Sequence, residues 1–177
     1  MHTIHYIAVE AESKNDAFNE VYSLLEPSDE GYRVADWSDW HVVGGGRWSE
    51  NPNNQYKDSD EGVISHAEEP EKFNETLNKI TEWRTQNMKS YMERMDINKF
   101  FSDISEFADG RDMSDDRFDM NRYYVKLASE MLGNNYNPDS HFFDGKEYTA
   151  TMVYLKERLE DPEKTSKQYL VPVDFHY

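Results

Sequence analysis

Cysteine is absent from this chain of 177 residues. That excludes disulfide scaffolds, thiolate zinc sites, iron–sulfur clusters and cysteine nucleophiles. Long hydrophobic runs are missing too, since no apolar stretch approaches the ~18 residues of a membrane span. From Met1 to Glu12 there is no basic region followed by an apolar stretch, so no secretory signal is expected. Cations are scarce: 19 Lys and Arg stand against 36 Asp and Glu, a formal charge of −17. Duplex nucleic acid needs clustered Lys and Arg on its partner, so direct duplex binding is not expected. The hydrophobic fraction is only 37%, and with this charge that composition leans towards disorder.

Aromatic residues reverse that leaning. They make up 14% of the chain, and each buried ring removes about 150–250 Å² from water. The length suits a single domain, 1–177, able to bury a core without disulfides. The expectation is a folded, acidic, cytoplasmic protein with no cofactor and no membrane contact.

Residues 2–10 alternate His2, Ile4, Tyr6 and Ala8 with Thr3, His5, Ile7 and Val9, a strand apolar enough on both faces to be central. Ser13 is a good N-cap, and Asp16 at the third helical position suits the orphan amides and the dipole. Ala17, Val21, Leu24 and Leu25 form the following helical stripe, which Pro27 and Gly31 stop. A second strand is predicted over 34–43. Residues 49–69 read as a long polar loop of the kind that is usually functional or mobile. From Pro70 the pattern turns helical, through Phe73, Leu77, Ile80, Met88, Tyr91 and Met95. Ile97, Phe100, Phe101, Ile104 and Phe107 continue it, and a third helix is predicted over 117–132 with Gly133 as its cap. A last helix, 148–160, is stopped by Pro162, and the chain closes on a strand, where Pro172 points to an edge or a bulge. The expected fold is α+β: a small ferredoxin-like sheet with a β-α-β start and a C-terminal strand. Its sheet core comes from 1–48 and 141–177, and 70–132 form a helical insertion.

One segment stands apart: Asp36-Trp37-Ser38-Asp39-Trp40-His41-Val42-Val43-Gly44-Gly45-Gly46-Arg47-Trp48. It holds three of the four tryptophans. Consecutive glycines let backbone amides approach a ligand, Arg47 offers a planar fork to a phosphate or carboxylate, and tryptophan faces stack on a base. Trp37, Trp40, Gly44, Gly45, Gly46, Arg47 and Trp48 are therefore the candidate site for a flat, anionic, nucleotide-like ligand. A tight structural corner, with Arg47 stacked on Trp48 and paired to Asp36 or Asp39, is the competing reading. No Lys-Ser/Thr follows the glycines, so this is not a P-loop, and no helix opens after Gly46 as a dinucleotide fingerprint requires.

These residues resemble the W-D-W-x-x-x-G-G-R-W signature of small uncharacterised proteins encoded by bacteriophages. The resemblance extends to the first strand, His5-Tyr6-Ile7-Ala8-Val9-Glu10-Ala11 with Ser13 and Ala17, and to the closing Val173-Asp174-Phe175-His176. It covers about the first fifty and the last ten residues of the chain. This chain departs from it in its Trp-Ser-Asp-Trp and in an additional glycine. No biochemical activity attaches to the group, so the resemblance implies a phage source and a host-facing accessory role in the host cytoplasm, such as host takeover or anti-defence.

Two further sets carry chemistry. Asp39 with His41, and Asp174 with His176, are two residues apart on predicted strands, so each pair shares a face. Converging, they would hold a divalent metal or supply acid–base chemistry for a phosphodiesterase; a hydrogen-bonded polar patch is the simpler account. No HExxH, CxxC or EF-hand spacing supports a metal, and there is no G-x-S-x-G nucleophile elbow. The second set, Asp103, Glu106, Asp109, Asp112, Asp115, Asp116 and Asp119, is an acidic stripe. It would imitate a phosphate backbone towards a nucleic-acid-binding host protein, or simply form a solvated face. Binding of a small ligand ranks first, the acidic inhibitor second and the metal-assisted enzyme third. Exposed aromatics would equally serve a homodimer.

Overall fold

The computed structural model describes residues 2–27, 38–96, 98, 124, 142–143 and 158–176. Strand β1 spans His2–Glu10 and helix α1 spans Lys14–Leu25. Ser13 caps α1 as its sequence position predicts: its hydroxyl oxygen accepts from the Asp16 amide at 3.1 Å and donates to the Asp16 carboxylate at 2.7 Å. Ala17, Val21 and Leu25 are its buried stripe. Strand β2, Trp40–Val43, ends at the glycines. The polar loop that follows is built of 3₁₀ turns at Gly46–Trp48, Pro52–Asn54 and Asp60–Gly62. Side chains hold two of them, with Asn51 accepting from the Asn53 amide and Ser59 from the Glu61 amide.

Strand β3, Ile64–Ser65, precedes helix α2, Pro70–Arg94, which has proline in its first turn, where a missing amide costs nothing. Phe73, Leu77 and Ile80 of α2 enter the core. Near its other end Tyr91 stacks on Tyr124, whose ring also takes the Arg94 guanidinium at 5.5 Å. Strand β4 is Phe142–Phe143 and helix α3 is Pro162–Thr165. Pro162 thus opens a further turn, with Asp161 capping it through the Glu163 amide at 3.0 Å. Of the helical pattern predicted over 97–132 only residues 98 and 124 are described, both helical, and of the helix predicted over 148–160 only its end from 158 is described, helical at 158–159; the rest of both lies outside the described residues.

Strand β5, Gln168–His176, organises the sheet. The strand order is β2-β5-β1-β4, with β3 also paired to β5. β5 runs antiparallel to β1, β2 and β3, and β4 lies parallel to β1. β1 and β2 therefore run the same way with β5 between them, a β-α-β unit split by the C-terminal strand. The fold is α+β. Every β5 residue from Gln168 to Phe175 is buried.

Pro172 consequently lies in a central strand, not at the sheet's edge. Its carbonyl accepts from the Gly44 amide at 2.7 Å. Within a strand, the N–H and C=O of one residue point to the same side. The missing proline donor thus faces the interval between β2, whose pairing stops at Val43↔Val173, and β3, whose pairing starts at Ile64↔Leu170. No strand there asks for it.

The register also sorts the faces. His2, Ile4 and Tyr6 of β1 lie opposite His176, Asp174 and Pro172 of β5, while Thr3, His5 and Ile7 lie opposite Phe175, Val173 and Val171. The second face is buried along β1, and the first is half-buried from His2 to Tyr6.

Candidate functional site

The glycine turn is held mainly by its own backbone. Gly44, Gly45 and Gly46 all have positive φ. A Cβ on Gly44 would stand 1.8 Å from the Ser59 carbonyl oxygen, so the loop can pass there only over a glycine. A Cβ on Gly46 would stand 2.5 Å from Cβ of Asp174. That absence of a side chain lets the Arg47 amide reach the Asp174 carboxylate at 3.0 Å. Val43 is fixed on the same side, donating to Asp58 at 2.8 Å and accepting from the Ser59 amide.

Asp174 is fully buried. Its second oxygen meets Nδ1 of His2 at 2.9 Å, so strand β1 and the glycine turn both tie to one carboxylate. A buried carboxylate is tolerable only with such partners. The His2 ring touches Trp40 edge-on at 5.2 Å, His176 at 4.9 Å and Trp48 at 6.4 Å. Trp40 and His176 stack at 5.1 Å with planes 9° apart, and Nδ1 of His176 meets the Asp39 carboxylate at 3.3 Å.

Beside this cluster, on the same sheet face, is a cleft of about 410 Å³. Ile4, Tyr6, Ile64 and Pro172 make its apolar floor, and Gly44, Gly45 and Trp48 form the wall on the side of the glycine turn. Lys72, Glu50 and Glu61 bring charge to it. Trp48 is 46% exposed, which leaves its ring accessible to a ligand. Glu61 is held by two side chains: the amides of Asn51, which also lines the cleft, and of Asn54 donate to its Oε2, at 2.9 and 2.8 Å. Burial pushes the Tyr6 hydroxyl above its ordinary pKa, with nearby Lys79 opposing. Lys72 meets Glu50 and Glu69 at 3.6 Å each. Burial works against ionisation of Glu69, but its contacts with Lys14 and Lys72 outweigh it and hold this carboxyl below the usual range.

Of the seven residues predicted to bind ligand, the cleft brings together Gly44, Gly45 and Trp48. Trp40 belongs to the adjoining histidine cluster. Gly46 is buried against Asp174, and the Arg47 side chain is exposed and does not line the cleft. Trp37 lies outside the described residues.

The four residues considered for a metal do not surround one centre. His41 pairs with Phe175 in register, on the face opposite Asp174 and His176. Asp39 and Asp174 each hold a different histidine, and the second of these is His2, not His41. Among the described residues no three His, Asp or Glu side chains are grouped to hold a metal ion. The acidic stripe Asp103, Glu106, Asp109, Asp112, Asp115, Asp116 and Asp119 lies wholly outside the described residues.

His2, Lys72 and Glu61 are the site residues that sequence reasoning missed. His2 carried a signal, since its alternation places it on the Ile4/Tyr6 face. Lys72 and Glu61 carried none, because only the packing of α2 and the loop brings them to the cleft. No helix among the described residues is long and apolar enough to cross a membrane. Comparisons with known protein families, with curated proteins and with solved structures find no match.

Proposed function

We propose that this chain is a non-catalytic binding protein, an accessory protein of the phage-encoded kind its sequence resembles, that sequesters a small nucleotide-like ligand. The observation that carries the reading is the cleft beside the glycine turn: an apolar floor, an accessible Trp48 face and, among the described residues, one cation, Lys72. A planar ring placed against Trp48 gains stacking that tolerates any base. The volume suits a ligand of nucleotide size, and the floor of Ile4, Tyr6 and Pro172 excludes water beneath it. A role in host takeover or anti-defence follows from the phage resemblance. The same proposal takes the sheet as ferredoxin-like. The split β-α-β unit supports that topology, while the parallel β4 is a departure from it.

Tryptophan fluorescence titration with nucleosides and nucleotides tests the binding. The expected result is saturable quenching that Trp48→Ala weakens by about five- to a hundredfold, the range of one stacked base. Absence of saturable binding by every nucleoside and nucleotide tried would sink the reading.

A further inference from the structure

The cleft also determines what charge its ligand can carry. Among the described residues its charged lining is Lys72 against Glu50 and Glu61, so acid exceeds base there before any ligand arrives. Arg47, the cation that the sequence places beside the glycines, contributes its backbone amide to Asp174 and leaves its side chain in solvent, outside the cleft lining. Lys72 enters from the first turn of α2 and reaches across to Glu50, on the loop that follows the glycine turn. That ion pair is long, at 3.6 Å, and the Glu50 side chain is 92% exposed, so water solvates it freely. Such a contact is weak and displaceable. Glu61, fixed by two side-chain amides, is a standing acceptor that repels a second negative charge.

Resting on the nucleotide-like reading, we infer that Lys72 is the anion-binding residue of the cleft and that the ligand carries one compact anionic group, a monophosphate, which displaces Glu50 from Lys72. The base lies along Trp48, and the phosphate replaces the Glu50 carboxylate on the Lys72 ammonium. Glu61 accepts from a donor of the ligand, a ribose hydroxyl or a base N–H. Chains of phosphates gain nothing, because among the described residues the cleft lining offers no second cation to meet them. Binding of the monophosphate weakens with added salt, as expected for a single exposed pair.

Titrating a nucleoside, its 5′-monophosphate and its 5′-triphosphate into the whole chain, with tryptophan fluorescence as the readout, separates the possibilities. The monophosphate is expected to bind more tightly than the nucleoside, with no further gain from the triphosphate. Lys72→Met is expected to lose about ten- to a hundredfold on the monophosphate, the range of one charge-assisted hydrogen bond, while nucleoside affinity stays unchanged. Glu50→Gln, which removes one of the two carboxylates paired with the ammonium and leaves Glu69, is expected to tighten monophosphate binding by about two- to fivefold. Arg47→Ala is expected to leave all three affinities as they were. If nucleoside and monophosphate bind equally, or if Arg47→Ala removes the preference and Lys72→Met does not, the inference is overturned while ligand binding in the cleft stands. A triphosphate that binds tightest overturns it as well. If no ligand binds the unaltered chain, both the inference and the binding function fall together. Circular dichroism of each variant separates a lost contact from a lost fold.

Discussion

Gly44 and Gly46 look alike in sequence and do different work. At Gly44 a side chain would collide with backbone, the Ser59 carbonyl at 1.8 Å, and no rotamer change relieves that. At Gly46 it would collide with the Asp174 carboxylate, which would have to give up the Arg47 amide. Gly44→Ala is expected to cost about 2–4 kcal/mol, the scale of a backbone clash added to an unfavourable φ. Its urea midpoint should fall with little change of slope; a shift too small to resolve would contradict the close approach. His66 supplies a pH dependence. Its ring packs edge-on against Phe73 at 5.1 Å, and burial pushes its pKa below the ordinary 6.5. As pH falls, the unfolded chain therefore takes up this proton before the folded one does. The contribution is complete above pH 6.5 and is lost between there and the lower, folded-state value. Urea midpoints should decline from neutral pH into that window, and His66→Phe should flatten this part of the decline. The sequence places Phe73 on the apolar stripe of α2 but does not show that His66 packs against it; that contact depends on where α2 is laid.

At the scale of elements, α1 was the most legible. Ser13, Asp16 and the Ala17/Val21/Leu25 stripe are local signals, and a helix with its own cap and apolar face needs little from the rest of the chain. Ser13→Ala is expected to destabilise the protein by about 1 kcal/mol, measurable as a shift in thermal midpoint; full retention of stability would mean that the cap contact is not made in solution. Strand β5 was legible as a strand but not as the centre of the sheet. Pro172 argued for an edge or a bulge; the strand is central, and the proline's missing donor faces the gap that β2 and β3 leave on that side of β5. The pairing of β5 also decides which histidine meets Asp174. Alternation predicts that Asp39 and His41 share a face, but Asp39 precedes β2 and its carboxylate meets His176, while the register puts His41 opposite Phe175 and Asp174 is held by His2.

For the whole molecule, the −17 charge is unevenly distributed along the chain, with more than half of the acid excess in residues 49–120. Self-repulsion of that size opposes the compact state and is screened by salt, whose Debye length is about 10 Å at 0.1 M. Raising ionic strength is therefore expected to raise the urea midpoint of the free protein while weakening the hold of Lys72 on an anion. The two effects run in opposite directions, so measuring stability and ligand affinity in one salt series distinguishes global repulsion from the local pair. A midpoint that falls with salt would mean that favourable ion pairs, such as those of Lys14 with Glu68 and Glu69, outweigh the net repulsion.

The sequence by itself determined whatever depends on near neighbours along the chain. That includes the absence of thiol chemistry, the cap and stripe of α1, the proline start of α2, the alternating strands at both ends and the special character of the glycine turn. These follow from backbone geometry and periodicity within a few residues. Tertiary structure alone decided which faces meet. The placement of β5 between β1 and β2 buries Asp174 under Gly46 and joins His2 to Trp40 and His176. The docking of α2 brings Lys72, seventy residues from His2 in the chain, to the same sheet face. Arg47 was conspicuous in the sequence because cations are rare there, but its backbone turns inward to Asp174 and its side chain turns out. A local pattern marks a residue as unusual; the direction of its side chain is decided by what packs behind its backbone.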